Sequence, residues 1–413
     1  MSVKLFQSQR TSAIVEMALA LFIILFLVFS FQNSDIVSPD GVLYHESAHN
    51  LVDGDGYHDN IRNDFILPPV GHPLVILLAN SLGVNNPLVF ARILLFLGLC
   101  LVFFTMKELK LPRYYRLLVL PLVYGIIPIV FDWGVEISIF FSISLMLFCV
   151  ARFTNHFTIK MALFLGLSIA LNLLIRPVYA PFVYLAAASL IVILIRHKRK
   201  AIPLLVSVSV ALIIVNGVML ISKAKYGDKR LSAGTYSEIP LYCANNEYLD
   251  LQQDYYSSRW SELSEEDYAE AVAPLKITTT WEDRASTLKG KVISFYKNHP
   301  GKAIGGIYWR ATKFSFHQPN NLGNSLFFGW LFLCGFTLWI RRKKLWEVSK
   351  ENSLFLLGFL LAIYTVGILS LFVYVGDRYN LTTNLVFIFS IAFCLPTLRN
   401  YLAEKRGKKS TVK

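Results

Sequence analysis

Long uninterrupted apolar blocks constrain this chain more than any other feature of its sequence. The first block, Thr11 to Phe31, holds one charged side chain, Glu16, near its start. A helix of about 20 apolar residues, rising about 1.5 Å per residue, crosses a hydrocarbon layer of about 30 Å. The block is too long for the apolar region of a signal peptide, and no small-x-small cleavage site follows it. We therefore expect a retained first transmembrane helix.

Further apolar blocks follow along the chain, which is 55% hydrophobic and only 16% charged, against about 25% charged in soluble domains. We expect an all-α polytopic membrane protein with about ten spans. These lie near 12–31, 86–106, 117–132, 134–151, 160–176, 179–195, 201–222, 325–340, 353–375 and 380–398. The segment from Pro68 to Gly83 is also apolar, but it is short and prolines crowd its start. We expect it to be re-entrant or to lie on the membrane surface.

The distribution of basic residues gives this arrangement a direction. Cytoplasmic loops of membrane proteins carry an excess of Lys and Arg. With ten spans, all the basic clusters fall on the side of both chain ends, which we expect to be the cytoplasm. These clusters are 107–116, 196–200, 341–344 and 399–413. The formal net charge of +13 then reflects this bias and contact with anionic headgroups, so no nucleic acid partner is expected.

The sequence divides into three parts. An N-terminal transmembrane bundle, 1–222, contains an acidic first outer loop at 32–67. A large extracytoplasmic loop follows at 223–324, and residues 325–413 form C-terminal transmembrane helices with a basic tail. Within the large loop, Ser264 and Thr280 resemble helix starts. We expect one amphipathic helix from Trp281 to His299 and a second from Gly301 to Phe316, separated by Pro300.

Charged residues in or beside spans are costly, and each therefore suggests a function. Asp40 follows the first span and could deprotonate an incoming hydroxyl or amine, although aspartate is also a favoured helix cap. Glu136 lies one turn into a span, after a turn that contains Asp132. Arg176 lies near the outer interface, where a guanidinium suits bidentate phosphate binding or snorkels to lipid headgroups. Asp377 to Tyr379 form an outer triplet in which the aspartate could simply pair with Arg378.

Metal and cofactor patterns are weak in this sequence. Asp53, Asp55 and Asp59 alternate with glycine as in a calcium loop, but the twelfth position is Asp64 rather than the usual glutamate. A glycine-rich surface turn is the simpler interpretation. Four cysteines lie in predicted spans and only Cys243 faces outside, which excludes a disulfide within the loop and a cysteine zinc site. We expect no cofactor and no bound metal, and a divalent metal ion is the alternative left open.

Several short motifs follow one another in an order that carries more information than each alone. Asp40, Tyr44 and Ala48 form an Asp-x-x-x-Tyr-x-x-x-Ala pattern, followed by a proline-rich short helix around His72. Further along come Ala91-Arg92 opening a span, Glu136, Arg176-Pro177, Asn298-His299-Pro300 before Trp309-Arg310, and Arg378-Tyr379 opening the last span. In this order they resemble polyprenyl-phosphate-dependent glycosyltransferases of the GT-C fold, and more narrowly glycosyltransferase family 39. That family contains protein O-mannosyltransferases and lipid A aminoarabinose transferases.

The resemblance implies a function and a set of residue roles. The chain would transfer a sugar from a polyprenyl-phosphate donor to an extracytoplasmic glycan, lipid or protein, at the outer face of a bacterial inner membrane. Asp40 would be the catalytic base, and Arg176 and Arg378 would hold the donor phosphate. Tyr44, His72, Glu136, Arg310 and Tyr379 are the further candidates for substrate binding. Two departures matter: we expect no large soluble C-terminal domain of the kind found in some relatives, and no second acid matches the family pattern as well as Asp40.

Two other classes of membrane protein share part of this pattern. Polymerases and ligases of lipid-linked polysaccharides also combine many spans with one large outer loop, although they do not need an acid-rich first loop. Transporters place ionisable residues near the bilayer midplane and often show two related halves. Here the charged residues are predicted to cluster at the outer face, which favours the transferase.

Overall fold

The structure is a computed structural model that describes residues 2–31, 39–53, 69–127, 134–177, 180, 183–184, 198–226, 238–247, 264–276, 281–315, 321–342, 350–372 and 377–410. Within these residues all regular structure is helical, without a β-strand. The helices are α1 (Ser2–Ser30), α2 (Pro39–Asp53), α3 (Gly71–Ser81), α4 (Pro87–Glu108), α5 (Arg113–Gly125), α6 (Val135–Asn155), α7 (Ile159–Ile175), α8 (Lys198–Tyr226), α9 (Glu238–Ala244), α10 (Glu265–Val272), α11 (Trp281–Asn298), α12 (Pro300–Ser315), α13 (Asn321–Arg341), α14 (Lys350–Phe372) and α15 (Asp377–Ser410). This confirms the all-α class.

Five of the described helices are long and apolar enough to cross a membrane. They are Thr11–Ser30 in α1, Pro87–Glu108, Val135–Asn155, Ile202–Ile221 in α8 and Thr383–Ala403 in α15. Each overlaps a predicted span, and together they identify an integral membrane protein by length and composition. The apolar helices Ile159–Ile175 and Phe355–Gly367 are shorter. The predicted spans 117–132 and 179–195 lie partly outside the described residues, so the number ten stays a prediction.

Polar contacts between distant residues show which helix ends lie together. Three such contacts lie at one end of the bundle, which we call the basic end. They are Arg116 Nη2 with Glu16 Oε2 at 3.0 Å, Arg152 Nη1 with Glu108 Oε1, and Arg399 Nη1 with the Lys110 carbonyl at 3.0 Å. Glu16, the lone charge in the first apolar block, is thus paired with an arginine of α5. The contacts bring the N-terminal half of α1 together with the C-terminal ends of α4 and α6.

The opposite end of the bundle, which we call the site end, begins where α1 stops. Arg92, in the second turn of α4, donates from Nη2 to the Phe31 carbonyl at 3.1 Å, so α4 runs antiparallel to α1. The short helix α3 has 11 residues and is about 16 Å long at 1.5 Å per residue, too short to cross a bilayer. One face of α3 packs against the bundle, where Gly71, His72, Pro73 and Ile76 are buried, while Leu74 and Leu78 are exposed.

Close helix contacts depend on small residues, as expected in a membrane bundle. A Cβ added at Gly166 of α7 would lie 2.6 Å from the Ser207 carbonyl oxygen of α8, so these two backbones nearly touch. One buried apolar cluster extends from Ala20 to Leu398 and therefore includes helices from both predicted transmembrane parts. In its C-terminal portion, Trp330 stacks on Phe387 with ring centroids 5.1 Å apart.

The helices of the large loop follow their local sequence signals. Ser264 caps α10, because its Oγ accepts a hydrogen bond from the Asp267 backbone N–H at 3.1 Å. The helices α11 and α12 meet at His299 and Pro300, where proline cannot donate a backbone hydrogen bond and a new helix starts. These bounds confirm the two helices predicted for this stretch to within one residue at each end.

Candidate functional site

His72 lies at the centre of the polar contacts at the site end. It is the second residue of α3 and is fully buried. Its Nδ1 lies 2.9 Å from Ser138 Oγ of α6, a hydrogen bond that joins residues 66 positions apart in the chain. The buried imidazole therefore links the short helix α3 to a membrane-spanning helix.

Tyr44 of α2 approaches the same imidazole from another direction. The two rings meet edge-on with centroids 4.7 Å apart, and Tyr44 is buried. Asp40 is the second residue of α2 and lies one helical turn before Tyr44, so the two share a face of that helix. The Asp40 side chain lies outside the described residues, and its role as base stays a prediction.

Glu136 is the second residue of α6, two residues before Ser138. It is buried, in the first helical turn after the extended residue Gly134. The positive end of the helix dipole favours a carboxylate at that position. Glu136 is thus a buried acid in the same helix as Ser138, at the end of α6 where His72 is bound.

Arg176 lies at the C-terminal end of α7, where its backbone N–H donates to the Asn172 carbonyl at 2.7 Å. The close packing of α3 brings the two helix ends together, because a Cβ on Gly71 would lie 2.5 Å from the Ile175 backbone nitrogen. Arg176 therefore follows directly on the turn against which the His72 helix begins. Its side chain is half-buried.

We call Tyr44, His72, Glu136, Ser138 and Arg176 the His72 cluster. Four of these five were predicted site residues, and the structure brings them to one end of the bundle from α2, α3, α6 and the end of α7. Arg378 and Tyr379 lie in the first turn of α15. Since Arg399 of the same helix contacts the basic end, that first turn lies towards the site end. Their side chains lie outside the described residues.

Arg310 occupies a different environment. It is fully buried on α12, where Nε donates to the Ser370 carbonyl at 2.7 Å, Nη1 to the Ala244 carbonyl at 2.7 Å, and Nη2 to Asn245 Oδ1 at 2.9 Å. We call Arg310, Ala244, Asn245 and Ser370 the Arg310 anchor. Tyr296 donates to the same amide oxygen at 3.0 Å. The anchor fastens the loop helices to the end of α14.

Burial controls the ionisation of the groups at this anchor. It lowers the pKa of the Arg310 guanidinium to about 10, which leaves it charged at neutral pH. Burial also raises the pKa of Tyr296, while the nearby Arg310 charge acts in the opposite direction. All three bonds of Arg310 go to neutral oxygens of the protein itself. A contact of Arg310 with substrate stays a prediction, and its described bonds are those of a structural residue.

Two polar features escape the reasoning from sequence. Ser138, Ser142 and Asn172 lie in apolar helices, and the Asn172 side chain donates to Ser142 Oγ at 3.2 Å. Their polarity within apolar helices is a signal, but their partners lie on other helices and have no sequence mark. The second feature is a His-Glu-x-x-His spacing at His45, Glu46 and His49 of α2, which places both imidazoles on one face of that helix.

The described residues hold no group of three or more His, Cys, Asp or Glu side chains arranged around one point. The calcium-like stretch after Asp53 lies outside the described residues.

Compared with protein-family models and with curated proteins, the chain has no match. The resemblance to glycosyltransferase family 39 therefore stays a prediction from the sequence motifs.

Proposed function

We propose that this protein is an integral membrane glycosyltransferase that takes a sugar from a polyprenyl-phosphate donor. In this proposal the bundle has about ten transmembrane helices in a GT-C-type arrangement, with the large loop and the site end outside the cytoplasm. The observation that carries the proposal is the His72 contact. A fully buried imidazole, 2.9 Å from Ser138 and 4.7 Å from the Tyr44 ring, joins the helix that carries Asp40 to the helix whose first turn carries Glu136.

The energetics of burial support a functional role for this cluster. Apolar side chains would pack these helices at lower cost, because a polar group buried without its partner costs about 1–3 kcal/mol. Polar and ionisable residues inside membrane bundles therefore mark sites where a substrate or proton is handled. Here the base candidate, an acid and an arginine are contributed by elements that meet at one end.

The proposed reaction is a single displacement at the anomeric carbon. A hydroxyl or amine of the acceptor attacks that carbon while Asp40 takes its proton. The bond between the anomeric carbon and the phosphate oxygen breaks, and the polyprenyl phosphate leaves with the electron pair. Configuration inverts. Because the leaving group is already a stable anion, Arg176 and Arg378 need to neutralise its charge rather than supply a proton.

The remaining residues of the His72 cluster would shape the acceptor or sugar pocket. Tyr44 and His72 present an aromatic surface with polar edges, which suits a sugar ring, and Glu136 offers an acceptor for sugar hydroxyls. Tyr379 would lie beside the donor phosphate, next to Arg378. The displacement itself requires no organic cofactor. The partners are a lipid-linked sugar and an extracytoplasmic glycan, lipid or protein, and the proposed location is a bacterial inner membrane.

The deciding experiment compares the lipid-linked sugars and envelope glycans of a deletion strain by mass spectrometry. The strain carries either the wild-type chain or Asp40→Asn. We expect Asp40→Asn to lower the transfer rate about 10²–10⁴-fold, so that one polyprenyl-phosphate sugar accumulates and one glycan loses a single residue. Loss of glycan chain length would indicate a polymerase or ligase instead. An Asp40→Asn protein at normal abundance with full activity would exclude Asp40 as the base.

The phosphate role of Arg176 is tested by graded substitution in the same strain. Arg176→Lys keeps the positive charge and loses the bidentate geometry, so it should retain part of the activity. Arg176→Ala removes both and should lose it. Wild-type activity in both variants would remove Arg176 from the donor site.

A further inference from the structure

The face of α2 next to Tyr44 carries two histidines that the proposed transfer reaction does not use. His45 and His49 are separated by one helical turn, and their ring centroids lie 4.5 Å apart with the ring planes at 60°. His45 is half-buried and His49 is exposed. Zinc–imidazole bonds are about 2.0–2.1 Å long, so rings this close can hold one ion between them with small rotations of their side chains.

A further polar group without a described partner lies on the same helix. Glu46 Oε2 is buried and has no hydrogen-bond partner among the described residues. A buried carboxylate oxygen without a donor is unfavourable unless a water molecule or a cation occupies the space beside it.

The chemistry of these groups selects the ion. Imidazole nitrogen is a borderline ligand that suits Zn²⁺, Cu²⁺, Ni²⁺ and Co²⁺, whereas Ca²⁺ and Mg²⁺ prefer oxygen. No third His, Cys, Asp or Glu of the described residues joins the pair. Two protein ligands leave coordination positions open for water or for an anionic oxygen of a bound molecule.

We propose that His45 and His49 of α2 bind a divalent transition-metal ion of the zinc class. This site differs from the expectation of no bound metal. It does not depend on the transferase proposal, because its evidence is the geometry of α2 alone. An active transferase without metal, and a metal-binding protein without transferase activity, are both outcomes that separate the two proposals.

Metal titration of the full-length protein tests the site. The protein is purified in detergent with an affinity tag that lacks histidine, treated with chelator, and titrated with Zn²⁺ by calorimetry and with Co²⁺ by its visible absorption. We expect one ion per chain. His45→Ala and His49→Ala should each lower the affinity by about 10–100-fold or more, because even outer partners of metal ligands have effects of that size.

His299→Ala is the matched control, since His299 is an exposed histidine at a helix boundary of the loop and should not change the titration. A second measurement uses only the wild-type chain. Zn²⁺ should protect His49 from modification by diethyl pyrocarbonate, followed by peptide mass spectrometry, and should leave His299 reactive. The proposal is overturned if the double variant His45→Ala/His49→Ala binds as much Zn²⁺ as wild type, or if Zn²⁺ leaves His49 modification unchanged.

Discussion

The Arg310 anchor and the helix α2 beside the His72 cluster handle buried polar atoms in opposite ways. At the anchor, three nitrogens of one guanidinium donate to oxygens of the protein at 2.7–2.9 Å. On α2, Glu46 Oε2 and Ser47 Oγ are buried and have no hydrogen-bond partner among the described residues. A hydrogen-bond network that is complete within the protein stabilises one conformation. Buried polar atoms without a protein partner can instead bind a ligand.

This contrast gives each region an expected response to mutation. Substitutions in the closed network should lower stability, because they leave several buried oxygens without donors. Substitutions around α2 and α3 should change stability less and should act on binding or catalysis.

Arg310→Met should be the most destabilising of these changes. It removes three hydrogen bonds and leaves the Ala244 and Ser370 carbonyls buried without their donor. Breaking a buried charged network of this kind costs about 3–5 kcal/mol. Chemical denaturation in detergent, followed by tryptophan fluorescence, measures the loss. Arg342→Met is the control, since Arg342 is exposed at the end of α13 and should change the free energy of unfolding by less than about 0.5 kcal/mol. Equal losses in both variants would contradict the anchor.

Cys243 reports on the anchor without perturbing it, because it precedes Ala244 in α9. Burial raises the pKa of its thiol from 9.0 to about 12, so the reactive thiolate is scarce at pH 8. Labelling of Cys243 by an impermeant maleimide should therefore be at least about a hundredfold slower than that of an exposed thiol, and its rate should rise with pH beyond 9 towards 12. In Arg310→Met the labelling should accelerate. A rate that levels off near pH 9 in the wild type would contradict this burial.

Gly71→Ala tests the contact that brings α3 and α7 together. A Cβ there would lie 2.5 Å from the Ile175 backbone nitrogen and 2.5 Å from the Leu174 carbonyl carbon. Backbone atoms cannot move aside as a flexible side chain can, so α3 must shift, at a cost of about 1–3 kcal/mol. Gly367→Ala of α14 is the control, because nothing lies within 4 Å of its added Cβ and alanine favours a helix. Equal stability of Gly71→Ala and wild type would show that the two helix ends are not in contact.

Local features of this fold could be predicted from the sequence, and its tertiary pairings could not. The helices α11 and α12 were predicted because a proline and capping residues lie beside their ends. Five apolar blocks became helices long enough to span a membrane because hydrophobic length is itself a local property. The number of spans and the sidedness need the whole chain, including parts outside the described residues.

The candidate site divides in the same way. Asp40, Glu136 and Arg176 were marked by the cost of charge near a membrane, and Tyr44 and His72 by the motif order that resembles glycosyltransferase family 39. Ser138 was not, because a serine in an apolar helix is common and its partner lies 66 residues away. The Arg310 anchor depends on Asn245, 65 residues distant in the chain. Only the packing of the loop on α14 shows that the guanidinium of Arg310 donates its hydrogen bonds within the protein. The spacing of His45, Glu46 and His49 was present in the sequence, and its interpretation required knowing that this segment is a helix.

Ser138→Ala should produce the smallest loss of stability and the clearest separation of stability from activity. The variant removes the hydrogen bond between His72 Nδ1 and Ser138 Oγ, at a cost of about 1 kcal/mol. Ser144→Ala is a closely matched control, since Ser144 is fully buried on the same helix and its Oγ has no partner among the described residues. Removing that hydroxyl should therefore leave stability unchanged or raise it.

If the His72 cluster handles substrate, Ser138→Ala should also lower transfer activity by more than its stability loss explains, because the imidazole can then turn away from Tyr44. Equal activity of the two serine variants at equal abundance would assign His72 to packing and move the search for the site to Arg378 and the first turn of α15.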